Sequence, residues 1–255
     1  MKHIELYEKL EERYPTALRC EWDNDGIMCM AKPEQEVKKV LVTLDITEGA
    51  VQKAVAEGFD LVLSHHPLIF RRVAHLDIRE SVPRRLLLLA EKGITALSYH
   101  TRLDAAENGV NDILAKTLDL TEIEPLTVDG VPMGRIGKTK KEFSPREFAL
   151  YAKEKLSAMQ VVMADGGKSI SRVAVVGGSA EEGIASAKLA GAEAFVTGEA
   201  KYHTLSDAHL GGISVIALGH YETEEPVCSV LAEAVNKWVP GAEIEIYCAN
   251  TLIRL

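Results

Sequence analysis

Metal chemistry is the first use suggested by residue type and spacing in this 255-residue chain. His65 and His66 stand side by side after the apolar run Leu61 to Ser64. Adjacent side chains on an extended backbone point apart, so this pair would serve two ions, or one ion after a bend. Pro67 disfavours a helical conformation at His66. His100 and Asp104 are spaced i, i+4, and so are His220 and Glu224. On a helix this spacing puts an imidazole and a carboxylate on one face. A single such pair is common; its recurrence after two comparable strands says more. Imidazole with carboxylate suits zinc, iron, manganese and related ions. Two ions about 3.5–4 Å apart can hold and activate a water. The expected ligands are His65, His66, Asp104, His220 and Glu224. His100 serves as a sixth ligand, as a group orienting one, or, with Glu199, as a mover of protons.

Strands and helices alternate around these residues. A helix is expected from His3 to Tyr14, with Ile4, Tyr7, Leu10 and Tyr14 on one face and Pro15 at its end. Trp22 to Gly26 reads as a turn. Lys39 to Leu44, Leu61 to Ser64 and Ile94 to Ser98 read as strands, separated by helices from Thr47 to Gly58 and from Ser81 to Lys92. The pattern returns with strands at Arg172 to Val176, Ala194 to Thr197 and Ile213 to Leu218. A helix capped by Ser179 and Glu182 follows the first of these, Glu222 to Trp238 reads as a long helix, and Glu243 to Tyr247 as a final strand. Ligands gather beyond the carboxyl ends of strands in such sheets.

A shift of 133 sets Val40 on Val173, Gly58 on Gly191, Asp60 on Glu193 and Ser64 on Thr197; a shift of 119 sets Gly93 on Gly212. The same shift of 133 sets Gly198 and Glu199 on His65 and His66, which places Glu199 near the expected site. The first half carries a longer insert, about Pro67 to Ser81. The expected fold is therefore α/β, with two similar halves related by internal duplication and a metal site between them. The expected division is a first half over 1–120, a linker region over 121–141 and a second half over 142–255.

Apolar residues make up 47 % and charged residues 26 %, with a formal net charge of −9, as in an ordinary soluble protein. No basic face is offered to nucleic acid; Lys138, Lys140 and Lys141 read as a solvated loop. The charged start argues against a signal peptide or anchor, and no apolar run reaches membrane-spanning length, so a cytoplasmic protein is expected. Cys20, Cys29, Cys228 and Cys248 form no C-x-x-C pair, which argues against structural zinc or a disulfide framework and for small buried thiols. His3, His75 and His209 read as surface residues. The glycines of Val175 to Ser179 fit packing or turn geometry better than phosphate binding, since no dinucleotide or Walker spacing is present.

The ordered set Trp22-Asp23-Asn24, Leu44-Asp45, Ser64-His65-His66-Pro67, His100-Thr101-Arg102-Leu103-Asp104, Gly198-Glu199 and Gly219-His220-Tyr221-Glu222-Thr223-Glu224 resembles the NIF-three-like, YbgI-type dinuclear metal-centre family. Its members are often labelled GTP cyclohydrolase I type 2 homologues. The resemblance spans nearly the whole chain. It implies the same five ligands, two divalent ions (iron, zinc or manganese), two related α/β domains and a ring-shaped homohexamer. It also implies metal-activated water attacking a purine nucleotide or other small-molecule substrate. A metal-dependent phosphoesterase and a non-catalytic regulator or scaffold remain open beside it. The chain departs from the family pattern at Asp25, where an apolar residue is more usual, which bears on local packing or substrate contact.

Overall fold

The computed structural model describes residues 1–247 and 249–252. The chain divides into two compact units, Met1–Leu103 with Val227–Leu252, and Asp104–Pro226.

The first unit opens with α1 (His3–Arg13), which buries His3, Leu6 and Leu10. The buried face is thus turned from the expected one: Ile4 and Tyr7 are half-buried, while His3 is fully enclosed. His3 is no surface residue because both ring nitrogens are used, Nδ1 at 2.7 Å from Thr95 Oγ1 and Nε2 at 3.3 Å from Asp60 Oδ1. There follow β1 (Gly26–Cys29), β2 (Lys39–Thr43), α2 (Glu48–Ala56), β3 (Leu61–Ser64), α3 (Ser81–Lys92) and β4 (Thr95–Ser98). Thr47 caps α2 by accepting from the Ala50 amide. Among the described residues these strands form a five-stranded sheet in the order β1-β4-β3-β2-β11, where β11 (Glu243–Tyr247) pairs in parallel with β2. Strands β3 and β4 are buried along their whole length, as inner parallel strands covered on both faces must be.

The second unit contains α5 (Val110–Thr117), β5 (Thr121–Val128), β6 (Val131–Phe143), α6 (Pro145–Lys155), β7 (Val162–Ala164), β8 (Ile170–Val175), α7 (Gly183–Leu189), β9 (Ala194–Thr197), α8 (Tyr202–Gly211), β10 (Ser214–Ala217) and α9 (His220–Glu224). The short α4 (Thr101–Ala105) begins on the last residues of the first unit. Its sheet order is β5-β6-β8-β9-β10-β7 among the described residues.

The duplication is visible in the ladders. Val40 pairs with Leu61 and Leu61 with Thr95; in the second sheet Val173 pairs with Ala194 and Ala194 with Ser214. These are the same pairings under the shifts of 133 and 119. Each sheet also carries an antiparallel strand beside its third parallel strand, β1 on β4 and β7 on β10. The register is pinned alike in both. Asp60 Oδ2 accepts from the Lys38 and Lys39 amides at 2.9 Å. Its counterpart Glu193 Oε2 accepts from the amides of Ser171, at 3.0 Å, and Arg172, at 2.6 Å. A slip of one residue would turn every side chain to the other face, and these carboxylates oppose it.

Several expectations are corrected. The stretch 121–141 is no linker: it is the β5–β6 hairpin, turned by Asp129 and Gly130 at φ 47° and 84°, the positive angles of a type I′ turn. Lys138 and Lys140 therefore lie on a strand, paired with Glu122 and Asp119. The last part of the chain does not stay with the second half, because β11 takes its ladder bonds from β2 and α10 (Val227–Trp238) falls in the same unit. The single helix expected over Glu222 to Trp238 is two, α9 and α10, separated at Pro226, which lacks an amide hydrogen. Ser179 forms a bridge to Glu199 instead of capping α7, whose N-cap is Glu182 without a side-chain bond. Cys20 and Cys228 are buried and Cys29 half-buried; Cys248 lies outside the described residues.

Asp60→Ala removes the acceptor of two strand amides and of His3, and an unmet buried donor costs about 1–3 kcal/mol. Urea unfolding should show a loss in that range, with Glu193→Ala losing less because Glu193 is partly exposed. Equal small losses would show that the carboxylates do not hold the registers.

Candidate functional site

In the first unit, His65 and His66 leave β3 in a bend. Ser64 Oγ donates across it to the His66 carbonyl at 2.8 Å. The bend overrides the alternation of an extended strand, and the two rings lie 4.9 Å apart between centroids. His100, which follows β4, joins them at 5.2 Å from His65 and 5.5 Å from His66. One ligand atom from each of the three lies within 4.8 Å of the others.

The acceptors around these rings fix their tautomers. His65 Nδ1 donates to the Tyr99 carbonyl at 2.9 Å. His66 Nδ1 donates to Asp45 Oδ1 at 2.8 Å, and His100 Nδ1 to Asp23 Oδ1 at 2.9 Å. A carbonyl or carboxylate oxygen can only accept, so each neutral imidazole carries its lone pair on Nε2. This is the arrangement that metal-ligating histidines show, in which the second nitrogen is held by an acceptor. Burial alone would raise Asp23, but hydrogen bonds from His100 and from the Thr101 hydroxyl and amide hold it at about 2. Asp23 therefore stands as an anion beside His100.

Asp25 has a structural explanation. It is buried and takes Arg102 Nε on Oδ2 at 2.9 Å and Nη2 on Oδ1 at 2.7 Å, and Oδ2 also accepts from the His100 amide at 3.1 Å. Arg102 Nη1 also donates to Glu11, at 2.9 Å, and to the Tyr14 carbonyl, at 2.7 Å. A buried carboxylate is retained here because a buried guanidinium needs it; an apolar residue would leave that charge without its main partner.

In the second unit, His220 and Glu224 occupy the first and last positions of α9, and Nε2 lies 3.0 Å from Glu224 Oε2. The helical i, i+4 expectation holds for this pair. It fails for His100 and Asp104, because α4 begins at Thr101 and His100 precedes it. The two histidines are thus offset by one position in the repeat: Gly219 is the counterpart of His100. Asp104 lies in α4, 8 % exposed, and its carbonyl accepts from Asn111. Glu199 Oε2 is 3.4 Å from His220 Nδ1, so its geometry is that of a group holding an imidazole. Glu199 sits where the first unit has His66.

The glycine turn before α7 is explained by crowding. Gly178 has φ 67°, and a Cβ there would lie 2.1 Å from Glu224 Oε1. Its amide donates to Thr223 Oγ1 at 3.0 Å, and the Gly177 amide to Asn111 Oδ1 at 2.8 Å. These amides serve the protein itself, as expected, and not a phosphate. Sequence reasoning missed Asp23, Asp45 and the Tyr99 carbonyl as partners of the imidazoles. The signal for Asp45 was its place one strand over from His66, at the same level beyond the strand end.

The sequence profile of Duf34/NIF3 (NGG1p interacting factor 3) matches residues 1–252. A Clostridium perfringens protein named GTP cyclohydrolase 1 type 2 homolog is 30 % identical over 242 residues, covering 93 % of this chain and 92 % of that protein. The crystal structure of Staphylococcus aureus protein SA1388 superposes with a TM-score of 0.88 at 25 % identity, over 98 % of this chain and 97 % of that one. A structure described as protein ybgI, of unknown function, gives a TM-score of 0.88 at 25 % identity over 98 % and 99 %.

Two outcomes test the local geometry. Asp23 is held below its ordinary value, so it adds stability above about pH 4 that is lost as pH falls toward 2. Asp23→Asn should cost about 2 kcal/mol near neutrality, and chemical unfolding of the two proteins should converge near pH 2. Gly178→Ala should displace Glu224 and lower the metal content read by elemental analysis. Unchanged metal would remove Glu224 from the ligand set.

Proposed function

Since this chain belongs to the Duf34/NIF3 family, we propose that it is a dinuclear metal-dependent hydrolase acting on a purine nucleotide, in the manner of a GTP cyclohydrolase. His65, His66, Asp104, His220 and Glu224 hold the two ions in this reading. The observation that carries it is the shared tautomer of the first-unit imidazoles, each pinned at Nδ1 with its lone pair on Nε2. The close His220–Glu224 pair in the second unit supports it. Neutral imidazole and carboxylate fit iron, zinc or manganese.

When bound, such ions polarise a water and neutralise charge on the substrate. The chain's own residues do the rest. Asp45 and Glu199 orient His66 and His220. His100 is oriented by Asp23 through Nδ1, which leaves Nε2 to take a proton and give it back to a leaving group. Self-association into a homohexamer and a cytoplasmic setting belong to the same proposal; among the described residues no helix is long and apolar enough to cross a membrane.

The test is formate release and loss of the purine absorbance from GTP, using protein stripped of metal and reloaded separately with iron, manganese and zinc. Metal-dependent turnover is expected, with two ions per chain. His66→Ala should lose at least one ion and the turnover while remaining folded. Turnover of phosphoesters but not of GTP would replace the cyclohydrolase reading with a phosphoesterase. Two bound ions without turnover of either class would leave a metal-binding regulator or scaffold.

A further inference from the structure

Two aromatic side chains beside His100 are placed against what burial would favour. Trp22 is 63 % exposed and Phe70 is 52 % exposed. Their rings meet edge to face, with centroids 6.1 Å apart, and each ring also meets His100 edge to face at 6.1 Å. Single exposed apolar residues are ordinary; two locked into a corner on one imidazole are not scattered. The corner is held from beneath. Asn24 donates to the Ile69 carbonyl, tying the segment of Trp22 to that of Phe70, and Asp23 fixes His100.

Arg71 and Arg72 follow Phe70 directly, and both are exposed. Elsewhere in this unit Arg19, Arg79, Arg84 and Arg102 each have a carboxylate within salt-bridge distance, while Arg13 donates to the Tyr14 hydroxyl and Arg85 to the Ile46 and Ser81 carbonyls. Arg71 and Arg72 have no such partner among the described residues, in a chain of net charge −9. Guanidinium groups left in this state suit phosphate, which they bind in a bidentate fork.

We propose that Trp22 and Phe70, with Arg71 and Arg72, form the subsite for a phosphorylated planar heterocycle, whose ring stacks in the aromatic corner and whose phosphates meet the two guanidiniums. The inference rests on the nucleotide reading above and names the residues that would read the substrate. Stacking tolerates any planar ring, so this subsite selects for a nucleotide as a class, and the residues around His100 act on whatever it presents.

Binding tests it apart from catalysis. A Trp238→Phe background leaves Trp22 as the only indole, and GTP, guanosine and inorganic triphosphate serve as probes of its fluorescence and in calorimetry. GTP should quench Trp22. Trp22→Ala (tested by calorimetry) and Phe70→Ala should weaken GTP and guanosine roughly tenfold to a hundredfold, and Trp22→Phe should restore most of the affinity. Arg71→Ala with Arg72→Ala should weaken GTP and triphosphate and leave guanosine unchanged. Trp22-dependent binding without formate release would uphold the subsite and sink the cyclohydrolase reading. Turnover with unaltered KM in the Trp22 and arginine variants would do the reverse. Phe70 shares its segment with exposed Leu76 and Ile78. Variants that change the sedimentation coefficient but not GTP affinity would show a surface for association of copies and overturn the subsite.

Discussion

Backbone amides at the start of an inner parallel strand have to be met by something, and in both sheets a carboxylate on the residue just before the adjacent strand meets them. Asp60 takes the Lys38 and Lys39 amides, and Glu193 takes those of Ser171 and Arg172. This interaction sets which residues end level with one another at the far edge of the sheet. With Thr43 opposite Ser64, Asp45 and His66 emerge together, and the 2.8 Å bond between them follows. With Ser64 opposite Ser98, His65 and the Tyr99–His100 segment emerge together. The orientation of three imidazoles is thus decided some four residues earlier, where no chemistry takes place.

Polar groups buried near those imidazoles obey one rule, that each is matched by another. Arg102 is enclosed only because Asp25, Glu11 and the Tyr14 carbonyl surround it. Asp23 is enclosed only because His100 and Thr101 donate to it. The two networks lie on alternate residues of the same short segment, one holding α1 against the sheet and the other holding His100. Rigidity and reactivity therefore come from neighbouring side chains of one loop.

Much of this was legible in the residue order. The shifts of 133 and 119, read from a few identities, coincide with the ladder registers, because strand length and register are what an internal repeat must preserve. The ligand candidates were legible because His and Asp or Glu just past apolar strands have few structural uses. The β5–β6 hairpin was lost although Asp129-Gly130 marks its turn; its strands mix charged residues with proline and glycine and give a weak period. The return of α10 and β11 to the first unit was lost because strand pairing over two hundred residues leaves no local trace. Asp23 and Asp45 were passed over for a related reason: a residue that acts by holding another is visible only when both are in place.

Gly198 occupies the position that His65 holds in the other copy of the repeat. A Cβ there would come within 2.6 Å of the Gly178 carbonyl and 2.7 Å of the His220 Cα. The second copy fills that spot with backbone, and its imidazole comes from the start of a helix instead. A histidine placed at 198 by one substitution would collide with backbone on two sides. The division of labour between the copies is therefore held by sterics: a second strand-end histidine would require the turn at Gly178 to be rebuilt with it.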